Sequence, residues 1–291
     1  TQGYSSAASD VYKRQVPIRL GQEFKAYSVA IMRDIHRMDK AMDEMRTLNM
    51  GGTAIGTGIN ADEGYLRRIV PNLTEISGMD FIQAFDLIDS TQNLDPFVAV
   101  SGAVKACAVT LSKMSNDLRL MSSGPRTGFG EINLPAKQNG SSIMPGKVNP
   151  VIAEVVGEAC YEVIGNDTSI TLCAERTEFE LNAFEPGIAY ALFNSICLLE
   201  NAMKTLSDKA IKDLTANPKA CHDAIMNSIS IVTAFNPYIG YEKSSSIAKE
   251  ALQTGKSIKE ICLERKYLSE EEIDNILTVS YTHLTLPTNS L

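Results

Sequence analysis

Gly140-Ser141-Ser142-Ile143-Met144-Pro145-Gly146-Lys147-Val148-Asn149-Pro150 gathers most of the reactive chemistry of this chain into one stretch. Two adjacent hydroxyls, Ser141 and Ser142, offer a nucleophile or a base. Lys147 brings a cation and Asn149 an amide, the donors needed where negative charge develops. Gly140, Gly146, Pro145 and Pro150 impose a tight irregular backbone that no helix or strand period fits. Gly-Ser-Ser and Pro-Gly also form ordinary turns, so a purely structural loop is the competing reading. A phosphate-cradling P-loop is excluded. It requires Gly, four residues, then Gly-Lys-Ser/Thr, whereas here Pro145 stands at the second Gly position and Val148 follows the Lys.

Rigid elements must hold such a loop, and the chain on either side is patterned for long helices. From Gln22, Phe24, Tyr27, Ile31, Ile35, Met38, Met42, Met45 and Leu48 recur every three or four residues. They predict a helix of about eight turns, ended by Gly51-Gly52. Its methionines are read as packing residues and His36 as a polar helix residue. Asp62–Ser77 is expected as a shorter helix interrupted near Pro71. A second long helix is expected from about Ser90 to Met121, with the stripe Phe97, Val100, Val104, Cys107, Leu111, Met114, Leu118, Met121. Pro150 opens a third at a position that favours Pro, carrying Val151, Val155, Ala159, Val163 and Ile164 on one side. A fourth, Glu185 to about Leu206, carries Ile188, Leu192, Ile196 and Leu199. Helices this long predict an all-α fold built on a long antiparallel bundle. After Leu214 the pattern shortens to Pro218–Thr233, Ser245–Gln253, Ser257–Lys266 and Ser269–Leu277, a small helical domain. Gly56-Thr57-Gly58-Ile59-Asn60-Ala61 mimics a dinucleotide fingerprint, but that motif needs a strand before it and here a helix is expected.

The two ends read differently from the rest. Ser6–Gln15 can be encoded by tcg gca gcg tca gat gtg tat aag aga cag. The reverse complement, read from its third base, encodes Val-Ser-Tyr-Thr-His-Leu-Thr-Leu-Pro, which is Val279 to Pro287. Two tails from opposite strands of one oligonucleotide resemble translated adapter sequence, so residues 1–15 and 279–291 are expected not to belong to the fold. The expected domains are then a partial central bundle over 16–213 and a small helical domain over 214–278, with the N-terminal part of the protein missing. Dropping both tails removes one acid and two bases and takes the formal charge from −8 to −9. That acidic, patch-free balance argues against nucleic acid and anionic membrane as partners. The six cysteines show no C-x-x-C or zinc spacing, so no metal site is expected. Buried free thiols of a reducing compartment are the favoured reading over disulfides. No apolar run stands out as long enough to cross a bilayer.

Gly140 to Asn149 resembles the signature loop of the aspartase/fumarase superfamily, Gly-Ser-Ser-x-Met-Pro-x-Lys-x-Asn, at every fixed position. The Gly-Thr-Gly turn at Gly56–Gly58 is similar to one that ends a long bundle helix in that family. Resemblance extends over Val16–Thr278. It implies an all-α bundle and a cofactor-independent lyase in which Ser141 is the base that removes a proton beside a substrate carboxylate. It further implies that Lys147 and Asn149 bind that carboxylate, and that Ser142 and Met144 belong to a loop closing over it. A Ser base needs a cationic, water-poor site to act as an alkoxide, which a closing loop with a Lys provides. Glu154 matches a carboxylate that in fumarases pairs with a His; a solvated helix carboxylate is the alternative. Asn133-Leu134-Pro135, Val163–Asp167, Glu180–Pro186, Asn227–Thr233 and Thr254–Ile258 resemble the ammonia-eliminating branch, which converts L-aspartate to fumarate and ammonium. Val151-Ile152-Ala153 departs from the Thr-Gln-Cys usual in the hydratases, the competing branch; an inactive helical subunit is the non-enzymatic alternative. Arg176-Thr177-Glu178 departs from the Ala-Gly-Gln common in that branch, outside the loop. The family implies a cytoplasmic homotetramer with active sites shared between subunits, so this chain alone is expected to be inactive.

Overall fold

The computed structural model describes residues 18–124, 126–140, 143–144 and 146–282. The first tail, Ser141, Ser142, Pro145 and residues 283–291 lie outside the described residues. Two compact units form, Tyr27–Thr215 on one hand and Ala216–Leu291 with Thr1–Ala26 on the other.

The larger unit rests on four long helices: α1 (Leu20–Glu44, from Tyr27 onward), α3 (Asp95–Met121), α4 (Val151–Glu175) and α5 (Glu185–Leu206). A shorter α2 (Glu63–Ser77) lies between the first two. The all-α expectation holds, and α4 packs along both α3 and α5. On α3 the expected stripe is the buried one, from Val104 through Cys107, Leu111, Met114 and Leu118 to Met121. Phe97 and Val100 instead join the edge of a cluster made by Leu94, Ile170, Ile188, Ala191 and Leu192. By length and composition α3 could cross a membrane, contrary to the expectation that no run is long enough; its apolar face is instead packed against α4 and α5.

The stripes on α1, α4 and α5 depart from expectation in one common way. On α1 the buried residues are Tyr27, Asp34 and Ala41, while Ile35 (44% exposed) and Met42 (53%) face outward. On α4 the seam is Ala153, Val156, Cys160, Val163, Asp167, Ile170, and Val155 is exposed. On α5, Ser195 takes the inward place expected of Ile196. The buried positions alternate steps of three and four, a heptad seam. Two successive steps of four, as from Tyr27 through Ile31 to Ile35, rotate about 80° round the helix and leave the seam.

Polar groups inside the seam set the helices against one another. Asp167 accepts from Ser101 Oγ (2.8 Å) and pairs with Lys105 Nζ (2.5 Å), joining α4 to α3. Asn166 Nδ2 donates to Ser195 Oγ (3.1 Å), joining α4 to α5. Tyr27 OH donates to Asp117 Oδ2 (2.8 Å), which also pairs with Lys113, itself over the Tyr27 ring.

Two local departures have plain causes. Helix α1 stops at Glu44, and Thr47–Leu48 forms a two-residue strand, β1, parallel to β2 (Ile82–Gln83). This is a parallel pair inside a segment expected to be wholly helical; Leu48, read as the end of the stripe, belongs to it. Pro71 does not interrupt α2, which runs unbroken from its N-cap Asp62 to Gly78. The Gly56 turn lies eight residues beyond β1, and α2 starts only at Glu63, so no strand–turn–helix unit exists there.

In the smaller unit, Ile231, Phe235, Ile247, Ile258, Ile261 and Ile273 build a compact core. A 3₁₀ turn (Ile229–Phe235) and the helices α6 (Pro218–Met226), α7 (Tyr241–Thr254), α8 (Ile258–Glu264) and α9 (Glu270–Thr282) supply it. The expected Pro218–Thr233 helix breaks at Asn227 into α6 and that turn. Helix α9 continues past residue 278, so 279–282, read as tail, is helical backbone; 1–15 and 283–291 lie outside the described residues.

Candidate active site

The signature loop is tied down before and after its reactive residues. Asn133 Nδ2 reaches Thr215 Oγ1 (3.3 Å) and Lys137 Nζ pairs with Asp213 (3.6 Å). These hold the approach segment against the stretch that follows α5, where the helix widens into a π turn at Ser207–Ile211. At the other end α4 begins at Val151, and Glu154 N donates to Pro150 O (3.1 Å).

Between these anchors the backbone folds back on itself. Lys147 N donates to Met144 O (3.2 Å). A Cβ on Gly140 would stand 3.2 Å from Lys147 O, so the two ends of the reactive segment are in close contact at that glycine. Gly146 adopts φ +81, which favours glycine. Met144 and Lys147 are exposed and Asn149 is half-buried. Ser141 and Ser142, the expected base and its neighbour, lie outside the described residues. Among the described residues no carboxylate pairs with Lys147. Its charge is available to an anion, the chemistry expected of it.

Glu154 does not stand as an isolated solvated carboxylate. Its Oε1 lies 3.6 Å from Arg119 Nη2, at the end of α3, and neither side chain is buried (46% exposed for Arg119, 42% for Glu154). Among the described residues its ion-pair partner is this arginine, not a histidine. The pair borders a cavity of about 290 Å³ between α3 and α4. Buried Ala153 and Gly157 contribute little bulk there, and Asn116, Glu158 and Tyr161 complete the lining. Nothing in sequence reading singled out Arg119. The available signal was its place at the end of the α3 stripe, opposite the start of α4.

A family model described as "Lyase" matches residues 12–165, and one described as "Fumarase C C-terminus" matches residues 231–281. The chain is 54% identical over 261 residues to an aspartate ammonia-lyase of Helicobacter pylori, covering 90% of this chain and 56% of that protein. It is 46% identical over 264 residues to the aspartate ammonia-lyase of Escherichia coli, covering 91% and 55%. The chain thus spans about half the length of the curated relatives it matches. In three dimensions it is similar to a fumarate lyase:delta crystallin of Brucella melitensis (TM-score 0.89, 43% identity, 94% of this chain and 58% of that one). It is also similar to a class II fumarase of Schistosoma mansoni (TM-score 0.83, 30% identity, 94% and 60%).

Proposed function

The chain belongs to the aspartase/fumarase superfamily, and from that membership we propose that the intact protein is an aspartate ammonia-lyase, eliminating ammonia from L-aspartate to give fumarate. The observation that carries the reading is 46–54% identity to curated aspartate ammonia-lyases along nine-tenths of the chain. The signature loop lies inside that span.

Ser141 is the base. It takes the proton from the carbon next to one carboxylate, and the electrons pass into that carboxylate as a dianionic aci form before ammonia leaves. Lys147 and Asn149 bind the carboxylate, and Ser142 and Met144 close over it. Cation and amide together stabilise the second charge, where one donor is typically worth about 3–4 kcal/mol. Side chains of this chain suffice for every step, with no cofactor. A contact between Gly140 and Lys147 O supports the closed form of the loop. The protein works as a cytoplasmic homotetramer with shared sites. Exposed aromatic residues on α5, Tyr190 (75%) and Phe193 (71%), support burial against further subunits.

The test is fumarate formation followed by ultraviolet absorbance in the intact protein, with L-aspartate and L-malate offered in parallel. Ser141→Ala is expected to lower kcat by about 10²–10⁴-fold while the assembly persists. Lys147→Ala is expected chiefly to raise KM, because its charge meets a carboxylate already present in the ground state. Turnover of malate alone would make the protein a class II fumarate hydratase. Turnover of neither would leave an inactive structural subunit.

A further inference from the structure

We propose that Arg119 is a positioning residue for Glu154, fixing that carboxylate at the mouth of the cavity between α3 and α4 during ammonia elimination. The inference rests on the lyase reading above.

Glu154 stands in the first turn of α4, five residues after Asn149 and joined to the loop through Pro150. Its backbone is therefore placed by the same segment that carries Lys147 and Asn149. Its carboxylate is not placed by the backbone, because a glutamate side chain has several free torsions. Glu158 lies four residues on, where like charges repel on a helix surface. Left alone, the pair would push Glu154 outward into solvent.

Arg119 opposes this from the facing helix. It sits in the last turn of α3, where the helix dipole favours a cation, and Glu154 in the first turn of α4, where it favours an anion. The two dipole ends and the two charges therefore reinforce one orientation. The arginine is rigidly carried, since Leu118 beside it is fully buried and Met121 nearly so. Asn116 Oδ1 lies 3.5 Å from its other terminal nitrogen. Ala153 and Gly157 keep the neighbouring space open: a Cβ at Gly157 would meet the Tyr161 hydroxyl at 3.9 Å. A carboxylate held there can accept a hydrogen bond from the group that serves the leaving amine, which an unrestrained one does poorly.

The experiment is a double-variant cycle in the intact enzyme, with Arg119→Ala, Arg119→Lys, Glu154→Gln and the combinations. Arg119→Ala is expected to lower kcat by about 10–100-fold, the scale of a misplaced catalytic group, with little change in KM for L-aspartate. In the Glu154→Gln background the same change is expected to cost almost nothing further. Arg119→Lys, which keeps the charge, is expected to recover most of kcat. Should Arg119→Ala fail to assemble by sedimentation, Arg119→Lys carries the same test through its loss of effect beside Glu154→Gln. Equal losses in both backgrounds overturn the inference, as does a raised KM at unchanged kcat. In those cases wild-type turnover shows the lyase reading intact. A wild type turning over neither L-aspartate nor fumarate with ammonium overturns both.

Discussion

At the scale of single residues, the helix seam holds more ionisable groups than a simple apolar bundle needs. Asp34, 2% exposed, pairs with Arg37 through one oxygen and has no hydrogen-bond partner on the other among the described residues. Cys107 and Cys160 lie deep in the same region. Burial pushes the Cys107 thiol up from 9.0 to about 11, and the Asp34 charge adds to it. Burial does the same for Cys160, also to about 11. A raised value means the folded state keeps protons that the unfolded chain releases. The contribution is thus complete below about pH 9 and is lost as pH rises through about 11. We expect chemical denaturation midpoints to fall over that window. Cys107→Ala should flatten the fall, and an equal fall with and without both thiols would refute their role.

At the scale of elements, two glycines in left-handed backbone separate strain from clash. Gly255 ends α7 at φ +72 with open space around it. Gly255→Ala should therefore cost about 1–2 kcal/mol, the penalty for a side chain in that conformation. Gly56 is at φ +83, and a Cβ there would stand 2.4 Å from the backbone of Ile88. Gly56→Ala should cost distinctly more, because neither backbone can give way cheaply. Thermal unfolding of the two variants compares them directly, and equal losses would contradict the close packing of that turn. Asp167 offers a third case. Asp167→Ala removes the acceptor of Ser101 and the partner of Lys105, and is expected to cost about 1.5–3 kcal/mol. Little change in melting temperature would show that the α3–α4 alignment is set by apolar packing alone.

At the scale of the whole molecule, the large unit leaves unusually apolar helix surfaces uncovered. Ile35 and Met42 on α1, Val155 and Tyr161 on α4, and Tyr190, Phe193 and Ile196 on α5 all face outward. Scattered exposed apolar residues are normal, but rows of them on long helices mark surfaces that bind. Under the proposed tetramer they pack against other subunits. Phe193→Asp in the intact protein is then expected to shift sedimentation from tetramer toward smaller species and to lower activity with it. An unaltered tetramer would place the interface elsewhere.

Much was determined by residue types and spacing alone. Ten residues from Gly140 to Asn149 pointed to the family, because an anion-stabilising loop needs those groups in that order. Four long helices, their approximate ends and the α3 stripe also followed from periodicity, since every third or fourth residue of α3 that should be apolar is apolar. The tertiary structure decided what apolarity could not. Wherever the buried seam carries a polar side chain, as at Asp34, Asp167 and Ser195, its neighbours supplied a false apolar track through Ile35, Val155 or Ile196. A buried polar residue is tolerated only by partners on other helices, such as Lys105 and Ser101 for Asp167 or Asn166 for Ser195, and those partners lie at sequence separations that periodicity does not reach. The same holds for Arg119 and Glu154. They stand 35 positions apart in sequence, and only the antiparallel packing of α3 on α4 brings their charges to 3.6 Å.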